Sequence, residues 1–262
     1  MRQIIAIAVN TFRETIRDKV LYGILFFAVM FIIFTLVLGE LSLYEEKRVI
    51  ADLGLSGISL MSLLIAVVLG VGMLYKEIDR KTLYPILSKP VTRWQFVLGK
   101  YLGINLTLLI QIILIAVVFT VVLHVKNGGM TTPFALTLYL IFVEILVITA
   151  IAMLFSSFST PFVSGILTLG VFIVGRNVDL LETFIRSGKV GPAGHLLSAV
   201  PYIFPNLYLF YPSGRAVGEQ WVSVHQSFVQ LDYLARATGY GLLYAAFCLL
   251  LAMVIFSRRD LV

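Results

Sequence analysis

Residues 20–39 read VLYGILFFAVMFIIFTLVLG, twenty positions without a charged side chain or a proline, closed by Lys19 and Glu40. At about 1.5 Å of rise per residue, a helix of that length reaches about 30 Å, the thickness of a bilayer's hydrocarbon core. The stretch begins too late, and runs too long into Gly39-Glu40, to read as a cleavable signal. It reads as a membrane span, and the rest of the chain repeats it.

Further charge-free runs cover Leu53–Tyr75, Tyr101–Leu123, Ile145–Gly175 and Ala237–Ser257. The fourth is interrupted by Ser156-Ser157-Phe158-Ser159-Thr160-Pro161, which reads as a tight turn. Extended back through Glu144 to Phe134, it divides in two. Six spans result, at about 20–39, 53–75, 97–123, 134–155, 162–180 and 237–257. A seventh apolar stretch, Pro192–Tyr211, is broken by Pro201, Pro205, His195 and Asn206. Backbone groups freed at such breaks cannot face lipid, so it is expected to lie at the interface or dip in against protein. The expected fold is an all-α integral membrane protein forming one transmembrane domain over residues 1–262.

Composition agrees. Of 262 residues, 60% are apolar and 13% charged, and the mean hydropathy is +0.99. Soluble domains carry about 45–50% apolar and about 25% charged residues. A soluble globule, a disordered chain, a collagen-like chain and a disulfide scaffold are all excluded. The single cysteine, Cys248, lies inside an apolar run without ligand-spaced Cys or His neighbours. The net charge of +6 does not point to nucleic acid, because most basic residues flank the spans, where they set topology. With the N-terminus inside, that side holds Arg2, Arg13, Arg17, Lys19, Lys76, Arg80, Lys81, Lys89, Arg93, Lys100, Arg258 and Arg259. The short outer connections hold Lys47, Arg48 and Lys126. Both termini are therefore expected in the cytoplasm, in the cytoplasmic (inner) membrane of a bacterium.

Residues 2–19 have a helical period, with Ile5, Val9, Phe12 and Ile16 on one face and Asn10, Arg13, Glu14 and Arg17 on another. This reads as an amphipathic elbow helix (1–19) in the inner headgroup layer. Phe12, Arg13 and Arg17 are its candidate residues, for plain anchoring or for contact with a partner subunit.

The loop of residues 76–92 runs on into the third span: KEIDRKTLYPILSKPVTRWQFVLGK, residues 76–100. Charged ends bracket an apolar centre at Leu83, Ile86 and Leu87, too short to span. Pro90 forces its predecessor out of the α region. Thr92 with Gln95 is a capping-box pattern, so a helix is expected to start at Arg93 and enter the membrane. A short inner helix, a break and a rigid helix would form a lever if something grips the short helix; an ordinary positively charged loop is the plainer reading.

The order Glu77, Thr82, Leu87-Ser88, Pro90-Val91-Thr92-Arg93 and Gly99-Lys100 resembles the signature of permeases in the type-2 class of ATP-binding-cassette (ABC) transporters. It is most similar to the branch associated with multicopper-enzyme maturation. The resemblance takes in the elbow, the six spans, the outer stretch Tyr202–Leu207 and the Arg258-Arg259-Asp260 ending. It implies that the loop holds a coupling helix that docks on an ATPase subunit. Thr82, Leu83, Ile86 and Leu87 then belong to the docking element, while Glu77 and Arg93 fix the loop against the spans. It further implies partner ABC ATPase subunits that bind ATP and Mg, a second permease copy or a sister permease, and outward transport. A periplasmic or accessory protein is an open further partner, and the segment 181–236 would form a gate over the exit or a static cap.

Glu144 lies inside the fourth span. A carboxylate there costs about 2.5–3.5 kcal/mol on insertion scales, so it should face protein or water. It is a candidate pathway residue, or an interhelical lock to Asn105, Thr107 or Gln111 of the third span.

The chain holds no phosphate loop: Gly99-Lys100 is followed by Tyr101, and Trp94 stands where the earlier glycine is required. No ATPase activity is expected in this chain, and no cofactor. His124, His195 and His225 lie far apart, so no metal site is expected. Two rival readings differ in class. One is a secondary carrier using Glu144; the other is an intramembrane enzyme using Ser59 with His195 or His225.

Overall fold

In lipid, a backbone must satisfy its own N–H and C=O groups, which long apolar segments do by forming helices. A computed structural model describes residues 2–40, 46–79, 92–125, 132–186, 200–210, 213–217, 220–223 and 231–258. Its first three helices are α1 (Arg2–Ile16), α2 (Lys19–Glu40) and α3 (Glu46–Asp79). Next come α4 (Arg93–Val125), α5 (Thr132–Ser156), α6 (Pro161–Arg176) and α7 (Val178–Arg186). After α8 (Val200–Ile203) and a 3₁₀ turn at Leu207–Phe210, strands β1 (Ser213–Val217) and β2 (Gln220–Ser223) form an antiparallel hairpin. The last helix, α9, runs from Leu231 to Arg258.

Among the described residues, α2, α4, α9 and the apolar parts of α3 and α5 are long and apolar enough to cross a bilayer; α6 with α7 makes a sixth span if the bent pair is counted as one. The protein is an all-α integral membrane protein, and the hairpin is a small addition to its outer segment.

Local chemistry explains where helices begin. Asp18 Oδ1 accepts the Val20 N–H at 3.0 Å and so caps α2. At the start of α4, the Thr92 N–H donates to Gln95 Oε1 at 3.2 Å, one half of a capping box. Pro161 opens α6 behind Thr160, at a position where its missing N–H costs nothing.

The stretch read as one span over 162–180 is two helices. α6 stops at Arg176, and the chain bends by 58° into α7. Asn177 closes the break, its backbone N–H going to the Val174 carbonyl and its side-chain amide donating to that of Ile173 at 2.7 Å. With the end carbonyls satisfied, the helix can stop there. At 16 residues, α6 rises about 24 Å, short of the hydrocarbon thickness.

α3 and α5 form the centre: α3 packs on α2, α4, α5 and α6, and α5 on α3, α4, α6 and α9. Gly57 of α3 lies under the Phe31 ring of α2, where a Cβ would come within 2.4 Å of Cδ1, so this glycine serves close helix packing. The outer faces of α2, α6 and α9 carry Phe26, Phe27, Phe162, Leu243 and Phe247, all well exposed, as a lipid-facing surface requires.

Candidate functional site

Two groups of polar side chains stand out, one at an end of the bundle and one in its middle. At the first, α1, the start of α4 and the end of α9 meet. α1 turns Ile4, Ile7, Ala8, Thr11 and Thr15 toward α4, with Thr11 and Thr15 fully buried, and leaves Ile5 and Val9 exposed. The close approach depends on two glycines of α4. A Cβ on Gly99 would lie 2.8 Å from Ile7 Cβ, and one on Gly103 2.6 Å from the Ala8 carbonyl oxygen and from Thr11 Cβ. Beside them Lys100, nearly buried, reaches Glu14 Oε2 at 3.4 Å and lies over the Phe96 ring.

The first residue of α4 grips the opposite neighbour. Arg93 Nη1 donates to the carbonyls of Phe256 at 3.1 Å and Ser257 at 2.9 Å, in the last turn of α9. A guanidinium is favoured there, where unpaired carbonyls and the helix dipole concentrate negative charge. Phe96 stacks on Phe256 one turn further in, with centroids 6.2 Å apart. The N-terminal turns of α4 are thus tied to the elbow on one side and to the last helix on the other.

Of the other residues named from the sequence, Glu77 lies in the last turn of α3, and its side chain falls outside the described residues. Thr82, Leu83, Ile86 and Leu87 lie outside them entirely, as do His195 and His225. On the elbow, Arg13 and Arg17 are exposed and Phe12 is half-buried.

The second group sits mid-bundle on α5. Glu144 is fully buried, its Oε2 receiving Arg176 Nη2 at 3.1 Å and facing the Ser59 hydroxyl at 3.5 Å. Arg176 Nη2 also donates to Ser59 Oγ at 3.0 Å. None of the partners expected from the third span reaches Glu144: Asn105 and Thr107 donate to the Tyr101 and Gly103 carbonyls of their own helix, and the buried Gln111 amide makes no hydrogen bond to a described residue. Packing decides this. α3 lies close along α5, with the Ser156 hydroxyl on the Val71 carbonyl and Gly70 against Ala152, which brings Ser59 level with Glu144. The sequence reading named Ser59 only for a rival enzymatic role and singled out no role for Arg176, inside the 162–180 span. The available signal was a carboxylate in a span, which needs a counter-charge, and a neighbouring run that ends early in an arginine.

The segment before α9 packs against the helix end beside this cluster. A Cβ on Gly175, next to Arg176, would sit 2.6 Å from the Pro205 carbonyl oxygen and 3.0 Å from Leu207 Cγ. Leu207 and Phe210 are fully buried. Tyrosines of α9 hold the segment: the Asn206 N–H donates to Tyr240 Oη at 3.0 Å, and the Tyr233 hydroxyl donates to the Leu209 carbonyl. Residues 205–210 are thus seated between α6 and α9, next to the helix end that carries Arg176.

Among the described residues, no group of three His, Cys, Asp or Glu side chains is placed to hold a metal ion. Residues 5–176, about two thirds of the chain, match the family described as ABC-2 family transporter protein. The match covers the elbow, the start of α4 and every member of the Glu144 cluster. No curated protein matches the chain.

Proposed function

The chain belongs to the ABC-2 transporter family, and from that premise we propose that it is an exporting permease driven through its 76–92 loop by separate ABC ATPase subunits. As a permease subunit of an ABC transporter it is a multi-pass membrane protein and not itself catalytic; in this family the ATPase activity lies in a separate subunit. The finer assignment, to the branch associated with multicopper-enzyme maturation, rests on the 76–100 motif. The basic residues around the spans support placement in a bacterial inner membrane with both termini in the cytoplasm.

The feature that supports the drive is the seat of α4. Arg93, the first residue of α4, holds the end of α9, and about two to three turns later Gly99, Lys100 and Gly103 hold α1. A pull on the loop, with Thr82, Leu83, Ile86 and Leu87 in the docking element, therefore moves three helices together. ATP and Mg belong to the ATPase subunits, and a second copy of this chain or a sister permease completes the pathway. Glu144 with Arg176 fits an interhelical lock better than a charged pathway, since the two charges neutralise each other.

Affinity purification of the tagged chain from mild detergent tests the reading. A stoichiometric ABC ATPase subunit is expected, and Leu87→Asp should lose it, and with it substrate-stimulated ATP hydrolysis, while still inserting in the membrane. Recovery of the chain alone across detergents would overturn the proposal in favour of a Glu144-dependent carrier. Unchanged ATP hydrolysis in Leu87→Asp would overturn the docking assignment alone.

A further inference from the structure

We infer that the elbow helix α1 is a binding site for anionic phospholipid headgroups, read by a stripe of three arginines. At 3.6 residues per turn the helix surface divides into three sectors. One, with Ile4, Ile7, Ala8, Thr11 and Thr15, is turned to α4 and holds the helix in place through Gly99 and Gly103. The second carries Ile5, Val9, Phe12 and Ile16; Ile5 is 62% exposed and Val9 39%, although both are apolar. The third carries Arg2 and Arg13, and Arg17 follows in the turn just after the helix; all three are exposed.

The sectors have to be met by different materials. The apolar sector adjoins the start of α2, whose Val20 and Tyr22 are also exposed, so it continues the lipid-facing surface. Trp94, 48% exposed on the first turn of the neighbouring α4, is the residue type that settles at headgroup level. With protein on one side and acyl chains on the next, the arginine stripe lies among the phosphates. The helix holds a single acid, Glu14, turned to Lys100 at the opposite edge of the polar surface, and Asp18, which follows Arg17, caps α2 through the Val20 N–H. The positive charge is therefore left for an anionic partner. Phospholipids divide into those with zwitterionic and those with net anionic headgroups, and a set of three exposed guanidiniums that outnumbers the acids beside it favours the anionic class.

The test uses the full chain in nanodiscs with a fluorophore on Asn10→Cys, in a Cys248→Ser background. Asn10 is exposed and lies one turn from Arg13. Brominated phosphatidylglycerol is compared with brominated phosphatidylcholine at equal mole fraction as a quencher. A local preference of roughly fivefold for the anionic lipid is expected, the factor that one basic side chain near such a surface supplies. It should vanish in Arg2→Gln/Arg13→Gln/Arg17→Gln and survive in the matching triple lysine variant, which keeps charge and helix. Equal quenching by both lipids in the parent chain overturns the inference, as does a preference that persists in the glutamine variant. Unselective quenching with the label shielded on adding the ATPase subunit also overturns it, and assigns the stripe to a protein contact.

Discussion

Among the described residues, two lysine- or arginine-to-glutamate pairs of nearly equal length differ in which partner is buried. Arg176 meets Glu144 at 3.1 Å with the arginine side chain 24% and the carboxylate 0% exposed, whereas Lys100 meets Glu14 at 3.4 Å with the lysine 3% and the carboxylate 47% exposed. Distance does not separate them; hydration does. Glu14 can be satisfied by water if its partner is removed, while Glu144 is enclosed by helices and depends on Arg176 and Ser59. The first pair belongs to a junction that holds two helices together mainly through shape, with Gly99 and Gly103 under α1. The second joins α3, α5 and α6 by charge and hydrogen bonds at a depth where neither has an inexpensive substitute.

The contrast breaks first at Arg176. Removing one partner of a buried pair leaves an uncompensated charge, so Arg176→Leu should destabilise the protein by about 3–5 kcal/mol, read as a lower melting temperature in detergent. The double variant Arg176→Leu/Glu144→Leu should recover most of that loss; a double variant as unstable as the single would mean that shape, not charge, holds the site. Glu144→Gln keeps a polar group facing Arg176 and Ser59, and should cost about 1.5–3 kcal/mol while transport continues. Abolished transport with an unchanged melt would instead make Glu144 a pathway residue.

At the other region shape should dominate. Gly103→Leu places a side chain where the Ala8 carbonyl and Thr11 already lie, so it should cost about 1–3 kcal/mol and loosen α1, detectable as faster proteolysis near the N-terminus. Glu14→Gln keeps an amide oxygen to accept from the buried Lys100 ammonium, so it should be the mildest change, about 1 kcal/mol. A larger effect from Glu14→Gln than from Gly103→Leu would reverse the comparison.

Much of this was legible residue by residue. The apolar runs have the length of a bilayer, and Thr92 and Gln95 mark the start of α4 before any packing is considered. The elbow's helical period is equally local. Its orientation is not: the sector turned to protein is the threonine and alanine one, because two glycines on a distant helix open a groove for it. The fifth span misled for a similar reason. Read as one helix over 162–180, it stops at Arg176, whose guanidinium is received by a carboxylate on another helix.

By itself, then, the sequence determined the class of fold, the helices that cross the membrane and the need of Glu144 for a partner, since hydrophobic length, helix caps and the cost of a charge in lipid are properties of short segments. The tertiary structure alone decided which partner it has, where the fifth span breaks and which helices Arg93 and Lys100 join. Those depend on the axial offset between helices, and offset is set by close packing at positions such as Gly70 against Ala152 and Gly103 against Thr11, which no single segment encodes.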